Sequence, residues 1–270
     1  AWMGHLAVTD GRRGLHEAAE RFGREALGLA GAQSDPLRVW LEDWEVTGTE
    51  DGFRLQARTG DLALDLELRA ESPPVLQGED GLSPKGPEPG NASYYYSIPR
   101  LATGGSIAIG GREVDVVGTS WLDREWSTSA LSEGVVGWDW FALRLSDGWS
   151  MMVYDLRRAD GSVTEFSHAV LMDPSGAKRP LSRSDLELRV LDRWESPVDG
   201  ALYPSGWRIS VPSLELELRV DPLIRDQEMD LAFRYWEGAV LVEGEREGRP
   251  VSGQGFVELT GYAGVAPGGD

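Results

Sequence analysis

Apolar and polar residues alternate strictly along several stretches of the chain. Leu62, Leu64, Leu66 and Leu68 are separated by Ala63, Asp65 and Glu67, and Phe53, Leu55 and Ala57 by Arg54 and Gln56. A period of two marks a strand with one buried and one wet face. These two runs flank Thr59–Gly60–Asp61 and predict a hairpin. Leu186, Leu188 and Val190 alternate in the same way, as do Leu214, Leu216, Leu218 and Val220. Further strands are expected from Trp2 to Val8 and at 107–109, 114–120, 138–146, 150–157, 207–211, 239–243 and 255–262. Asp147–Gly148 and Asp160–Gly161 fall between runs and read as hairpin turns. Many strands at close spacing with turn signals indicate an all-β sandwich or barrel.

Two stretches depart from this pattern. Leu15, Ala18, Ala19, Phe22, Ala26 and Leu29 recur at helical spacing, opposite Glu17, Glu20, Arg21, Arg24 and Glu25, which predicts one short helix near residues 15–27. Residues 72–93 carry Pro73, Pro74, Pro84, Pro87, Pro89 and several glycines, and read as a linker or as a lid beside a site. Tyr94–Tyr95–Tyr96–Ser97 then resumes a strand, so the expected division is 1–93 and 94–270.

Charge and composition narrow the partners. Lys plus Arg is 26 against 45 for Asp plus Glu, a net charge of −19, which argues against nucleic acid and against anionic lipid. There is no cysteine, which excludes disulfides, thiol catalysis and cysteine metal sites. No run approaches the roughly 20 apolar residues of a membrane-spanning helix. His5, His16 and His168 are widely spaced, and no phosphate loop, dinucleotide fingerprint or nucleophile elbow occurs, so no metal or cofactor is expected. The chain opens directly on strand-like residues without a leader, and the natural protein is expected to begin further upstream.

Candidate chemistry gathers at the tryptophans. There are eleven, many beside carboxylates: Trp40–Leu41–Glu42–Asp43–Trp44, Trp121–Leu122–Asp123–Arg124–Glu125–Trp126, Trp138–Asp139–Trp140, Trp194–Glu195 and Trp236–Glu237. An indole is a flat apolar wall with one donor, and walls with a few fixed polar groups suit a mostly apolar small molecule. Strand alternation offers the plainer reading, with each indole in the core and its neighbour in solvent. In a strand, Trp121, Asp123 and Glu125 share one face and Leu122, Arg124 and Trp126 the other. A carboxyl among indoles is desolvated and becomes a candidate general acid. Asp123 or Glu125 can equally serve in a structural ion pair with an arginine. His5 reads either as a structural histidine or as a ligand or proton-transfer group. Paired carboxylates also permit glycoside hydrolysis, at a separation that sequence does not give.

Taken in order, His5–Leu6–Ala7–Val8–Thr9–Asp10, Val39 to Trp44, Tyr95–Tyr96–Ser97, Gly118 to Trp126, Gly137–Trp138–Asp139–Trp140–Phe141, Met152–Val153–Tyr154, Arg157, Tyr203–Pro204, Trp207, Asp226–Gln227–Glu228, Tyr235–Trp236–Glu237–Gly238 and Glu258 to Tyr262 resemble the bacterial lipocalin-like family called AttH-like or CrtC-like. That family includes carotenoid 1,2-hydratase (hydroxyneurosporene synthase). The resemblance covers nearly the whole chain. It implies two tandem lipocalin-like antiparallel β-barrels, the first lacking N-terminal strands. It implies a lipophilic ligand (a polyene, terpenoid or lipid) held by Trp40, Trp44, Trp121, Trp126, Trp138, Trp140, Tyr154, Tyr235 and Trp236. The expectation is an exported, periplasmic carrier associated with ABC-transporter components. The alternative is a hydro-lyase that protonates a C=C bond and adds water, or a pericyclase-like enzyme, with Asp123, Glu125, Asp139 and His5 as catalytic candidates. Many relatives have His where this chain has Arg124, and arginine is a poor proton donor. A scaffold whose barrels are filled by their own side chains is the third reading.

Overall fold

The computed structural model describes residues 1–127 and 131–263. The fold is all-β and carries two curled half-barrel sheets, in accord with the lipocalin-like tandem. Two compact units form, one from Ala1–Pro73 with Arg100–Leu122 and the other from Pro74–Pro99 with Asp123–Asp270. The chain leaves each unit and returns, passing between them after Pro73, Pro99 and Leu122. Among the described residues no helix is long and apolar enough to cross a membrane.

The first eleven strands are β1 (Trp2–Asp10), β2 (Leu15–Gly23), β3 (Ala30–Ser34), β4 (Leu37–Leu41), β5 (Trp44–Gly48), β6 (Gly52–Thr59), β7 (Leu62–Ala70), β8 (Val75–Leu76), β9 (Leu82–Pro84), β10 (Ala92–Ile109) and β11 (Arg112–Trp126). In the first unit β3 to β7 run as an antiparallel meander, and the later half of β10 joins β7 with Leu101 opposite Ala70 and Ala108 opposite Ala63. The β6–β7 hairpin turns on Gly60, whose φ of 55° lies where glycine is strain-free. Its leucines face inward but close only a small core of Leu6, Trp44, Leu62 and Ile109.

The helix expected near 15–27 is a correction. Residues 15–23 are strand β2, paired along its length with β1, so that Ala18 lies opposite Ala7 and Phe22 opposite Met3. Only Ala26–Gly28 forms a 3₁₀ turn. The helical periodicity is met only in part: Leu15 and Ala19 pack on the core of the first unit, while Phe22 and Leu29 are about half exposed. The ribbon instead gives every β1 residue a cross-strand partner, which a helix would leave as an open edge.

The second unit adds β12 (Val135–Leu145), β13 (Ser150–Arg158), β14 (His168–Met172), β15 (Lys178–Ser182), β16 (Glu187–Val190), β17 (Arg193–Glu195), β18 (Leu202–Pro204), β19 (Trp207–Val211), β20 (Leu216–Pro222), β21 (Glu228–Met229), β22 (Tyr235–Arg246) and β23 (Arg249–Leu259). Its main sheet runs β15-β14-β13-β12-β23-β22-β20-β19-β16. Alternation turns Phe141, Leu143, Met151 and Val153 into a core shared with Trp207 and Trp236, all essentially without solvent contact. Phe141 meets Trp207 edge-on at 5.4 Å. Ala142, Met152 and Val170 are buried too, so the central strands are covered on both faces. This explains why 150–157 reads as a nearly continuous apolar run rather than an alternation.

From Pro74 onward the proline-rich segment 72–93 is built into the second unit. β8 and β9 pair with the first half of β10, placing Leu76 opposite Tyr96 and Leu82 opposite Tyr94. Lys178 Nζ donates to the carbonyls of Leu76 and Gly78 at 2.6 and 2.8 Å, and Gln77, Ser83 and Lys85 are buried.

Candidate active site

One row of side chains crosses five neighbouring strands of the second unit. Glu237 on β22 lies opposite Glu258 on β23, which lies opposite Trp140 on β12. Trp140 lies opposite Tyr154 on β13, and Tyr154 opposite His168 on β14. Directly paired residues share a face, so all five project to the same side of the sheet. Trp138 and Tyr235 lie two residues along their strands from Trp140 and Glu237 and join that side.

The segment 74–99 and the end of β11 supply the opposing groups. On β10, Ser93, Tyr95 and Ser97 alternate with Tyr94 and Tyr96. Ser97 Oγ donates to Asp123 and Ser93 Oγ to Glu125, which fixes both carboxyls on the Tyr95 side. Gln77 in turn donates to Ser97 Oγ at 2.9 Å. Trp140 Nε1 donates to the Tyr95 hydroxyl at 3.1 Å. Lys85 Nζ sits 2.8 Å from Glu125, 3.9 Å from the Tyr154 ring centroid and 5.4 Å from that of Tyr95. Sheet and segment therefore meet as an aromatic site holding four carboxyls and one ammonium group.

Burial governs the electrostatics. It is the largest influence on Glu258, followed by the Glu237 carboxyl opposite, and together they push its pKa up to about 8. Trp138 Nε1, donating at 3.2 Å, pulls the other way, while Asp123 and Glu125 add to the rise. Burial also raises Glu237, against a hydrogen bond with Tyr235. Burial lowers the Lys85 ammonium pKa, with Glu125 opposing. It lowers His168 too, and the Lys85 charge lowers it further. His168 Nδ1 lies 3.2 Å from the Phe166 carbonyl, and its Nε2 finds no hydrogen-bond partner among the described residues. The Tyr95 and Tyr154 hydroxyls are raised by burial and the neighbouring carboxylates, so both stay neutral. At neutral pH the site therefore holds a protonated carboxyl among aromatic rings, the arrangement of a general acid.

Of the residues singled out from the sequence, Asp123, Glu125, Trp138, Trp140, Tyr154 and Tyr235 come together here. Asp139 faces the opposite side of β12, paired 2.7 Å from Arg157 and accepting from the Tyr262 hydroxyl at 3.0 Å. Burial raises its pKa and Arg157 restrains the rise. Trp236 is closed into the core, its Nε1 donating to the Arg225 carbonyl at 2.9 Å. Trp126 lies on the reverse of β11, stacked on Tyr94 at 5.8 Å. Arg124 is exposed and Trp121 half-buried on β11.

His5, Trp40 and Trp44 belong to the first unit. There they line an open groove of about 230 Å³ with Trp2, Leu55 and Leu64. Trp40 and Trp44 donate to the carbonyls of Gly28 and Arg58 at 2.9 and 3.0 Å. His5 lies 4.0 Å from Glu20, and burial lowers its pKa against that carboxylate.

Lys85, Tyr95, His168, Glu237 and Glu258 are site residues to which the sequence reading assigns no catalytic or ligand-binding role, although Glu237 stands in one of its Trp–carboxylate pairs. Glu258 stands about 120 positions from the indole that holds it, and only the β12–β23 register joins them. The usable signal is alternation along β23, which puts Phe256 and Glu258 on the side away from Val257 and Leu259. Among the described residues no three His, Asp or Glu side chains converge as metal ligands.

A family model described as AttH-like matches residues 1–262. A putative AttH from Nitrosomonas europaea, a crystal structure, is similar at 36% identity over 97% of this chain and 81% of that one, with a TM-score of 0.86. Kievitone hydratase from Nectria haematococca is similar at 17% identity over 97% of this chain and 80% of that one, with a TM-score of 0.79, a likeness of fold. No curated protein matches the chain.

Proposed function

Because the chain belongs to the AttH-like family, we propose that it is an acid–base enzyme of hydro-lyase type, adding water across a carbon–carbon double bond of a lipophilic substrate. The observation that carries this reading is Glu258, a half-buried carboxyl whose pKa of about 8 keeps it protonated at neutral pH. Glu258 gives its proton to one alkene carbon, and the π pair becomes the new C–H bond. The neighbouring carbon is left as a cation, which the faces of Trp138, Trp140 and Tyr154 and the Asp123 and Glu125 carboxyls favour. A water oxygen then forms the C–O bond, and its surplus proton returns to Glu258. The fold shared with a protein named kievitone hydratase agrees with this reading. Glu258→Gln is expected to reduce turnover by about 10²-fold or more while leaving the protein folded. Full activity in that variant removes Glu258 from the chemistry.

The first unit favours a second reading, a carrier of lipophiles, because its inner leucines leave the Trp-lined groove unfilled. Stoichiometric binding of a polyene or terpenoid by wild-type protein, with no turnover, would select the carrier. Loss of that binding in Trp44→Ala would place the ligand in the groove.

A further inference from the structure

Strands β10 and β11 have a second side. Tyr94 and Tyr96 alternate with Ser93, Tyr95 and Ser97 and turn away from the candidate site, as Trp126 does after Glu125. The register sets Leu82 beside Tyr94 and Leu76 beside Tyr96. Trp126 stacks on Tyr94 at 5.8 Å and meets Tyr96 edge-on at 6.3 Å. Tyr94 is 57% exposed, Trp126 51%, Leu76 47% and Leu82 43%. Leu76, Leu82, Tyr94, Tyr96 and Trp126 thus form one continuous apolar patch on the second unit, and patches of this kind mark interaction sites.

We propose that this patch docks the protein onto a neutral, zwitterionic lipid surface. The proposal rests on the reading that the site behind the patch takes a lipophilic substrate. Charge selects the partner. The chain carries a net −19, and exposed Glu79 and Asp80 sit in the turn between β8 and β9, so an anionic bilayer is repelled. Arg124, two residues before Trp126 on the same side of β11, is the cation that strand alternation adds to the five uncharged residues. Size argues against a second copy of the chain, since a stable dimer needs about 800 Å² and roughly 20–30 residues from each partner. A bilayer interface needs only a few indole and phenol rings with an apolar body and a polar tip. Ser93, Tyr95, Ser97, Asp123 and Glu125 lie on the reverse of the same strands, so a lipophile leaving the bilayer there has one strand layer to pass.

The test is co-sedimentation with vesicles of phosphatidylcholine alone and with added phosphatidylglycerol, neither containing substrate. Wild-type protein is expected to bind the neutral vesicles, more weakly once anionic lipid is added. Tyr94→Ser and Leu82→Ser, checked for unchanged melting, should each weaken binding by about tenfold. Neither should alter turnover of a substrate dissolved in detergent. The proposal is overturned if wild-type protein stays in the supernatant, or if neither substitution changes binding. It is also overturned if sedimentation velocity reveals a dimer that both substitutions dissolve, which would assign the patch to a second copy. Vesicle binding without turnover of any lipophile would remove the enzyme reading and leave the patch standing. Turnover without vesicle binding would do the reverse.

Discussion

Burial and the neighbouring Glu237 hold the Glu258 proton until about pH 8, whereas an unfolded chain releases it near the ordinary value of 4.5. Between those limits the native state keeps a proton that the unfolded state has lost, so stability falls as pH rises. Glu258→Gln escapes this dependence. Its melting temperature relative to wild type should therefore climb between pH 5 and 9, by the equivalent of about 1–3 kcal/mol once solvent screening is discounted. A difference that stays flat with pH would contradict the raised pKa. Under the hydro-lyase reading the same proton limits turnover, which should fall as pH rises through about 8. Trp138→Phe removes a donor that lowers the Glu258 pKa, and Glu237→Gln removes a carboxyl that raises it. The alkaline limit of the pH–rate profile should accordingly move up in the first variant and down in the second.

At the scale of single elements, the triplet Trp138–Asp139–Trp140 shows what a strand does to neighbours in sequence. The two indoles face the candidate site, and the carboxyl between them ties β12 to β13 and to Tyr262. Asp139→Asn should therefore leave Arg157 buried without its counter-charge and cost about 3–5 kcal/mol, seen as a lower melting midpoint. Substrate KM should hold wherever the variant remains folded. A change in KM at unchanged stability would return Asp139 to the site. Much of this is legible in sequence where one face of a strand is buried, as in the β6–β7 hairpin, whose Phe53, Leu55, Leu64, Leu66 and Leu68 alternate with Arg54, Gln56, Asp65 and Glu67 on either side of Gly60. It is not legible in β2, where every residue but one is half-buried and a period of two cannot be told from a helical one. Asp123 and Glu125 can be found as a same-face pair, since the alternation of β11 is local. Lys85 cannot, because a single lysine among prolines carries no period, and its place over Tyr154 depends on pairing between β9 and β10.

Across the whole molecule the two units differ in how completely they close. The second unit packs Phe141, Trp207, Tyr203 and Trp236 into a core without solvent contact, whereas the first buries Leu6, Trp44, Leu62 and Ile109 around an open groove. Amides of β12, β13 and β23 should therefore exchange only through unfolding of their unit. Those of β4 to β6 should exchange through smaller openings, about 100-fold faster or more. Hydrogen exchange read by mass spectrometry would show this, and equal protection in both units would contradict it. A different consequence belongs to the row from Glu237 to His168. Its members stand one per strand, and strands repeat at about 4.8 Å, so the row measures about 19 Å along the sheet. Backbone hydrogen bonds set that gauge for the Cα positions, and the side chains work from those fixed points. From the acid Glu258 to the imidazole of His168 the strands count three spacings, about 14 Å, so a molecule that reaches from one to the other must lie across the strands like a bar over rails.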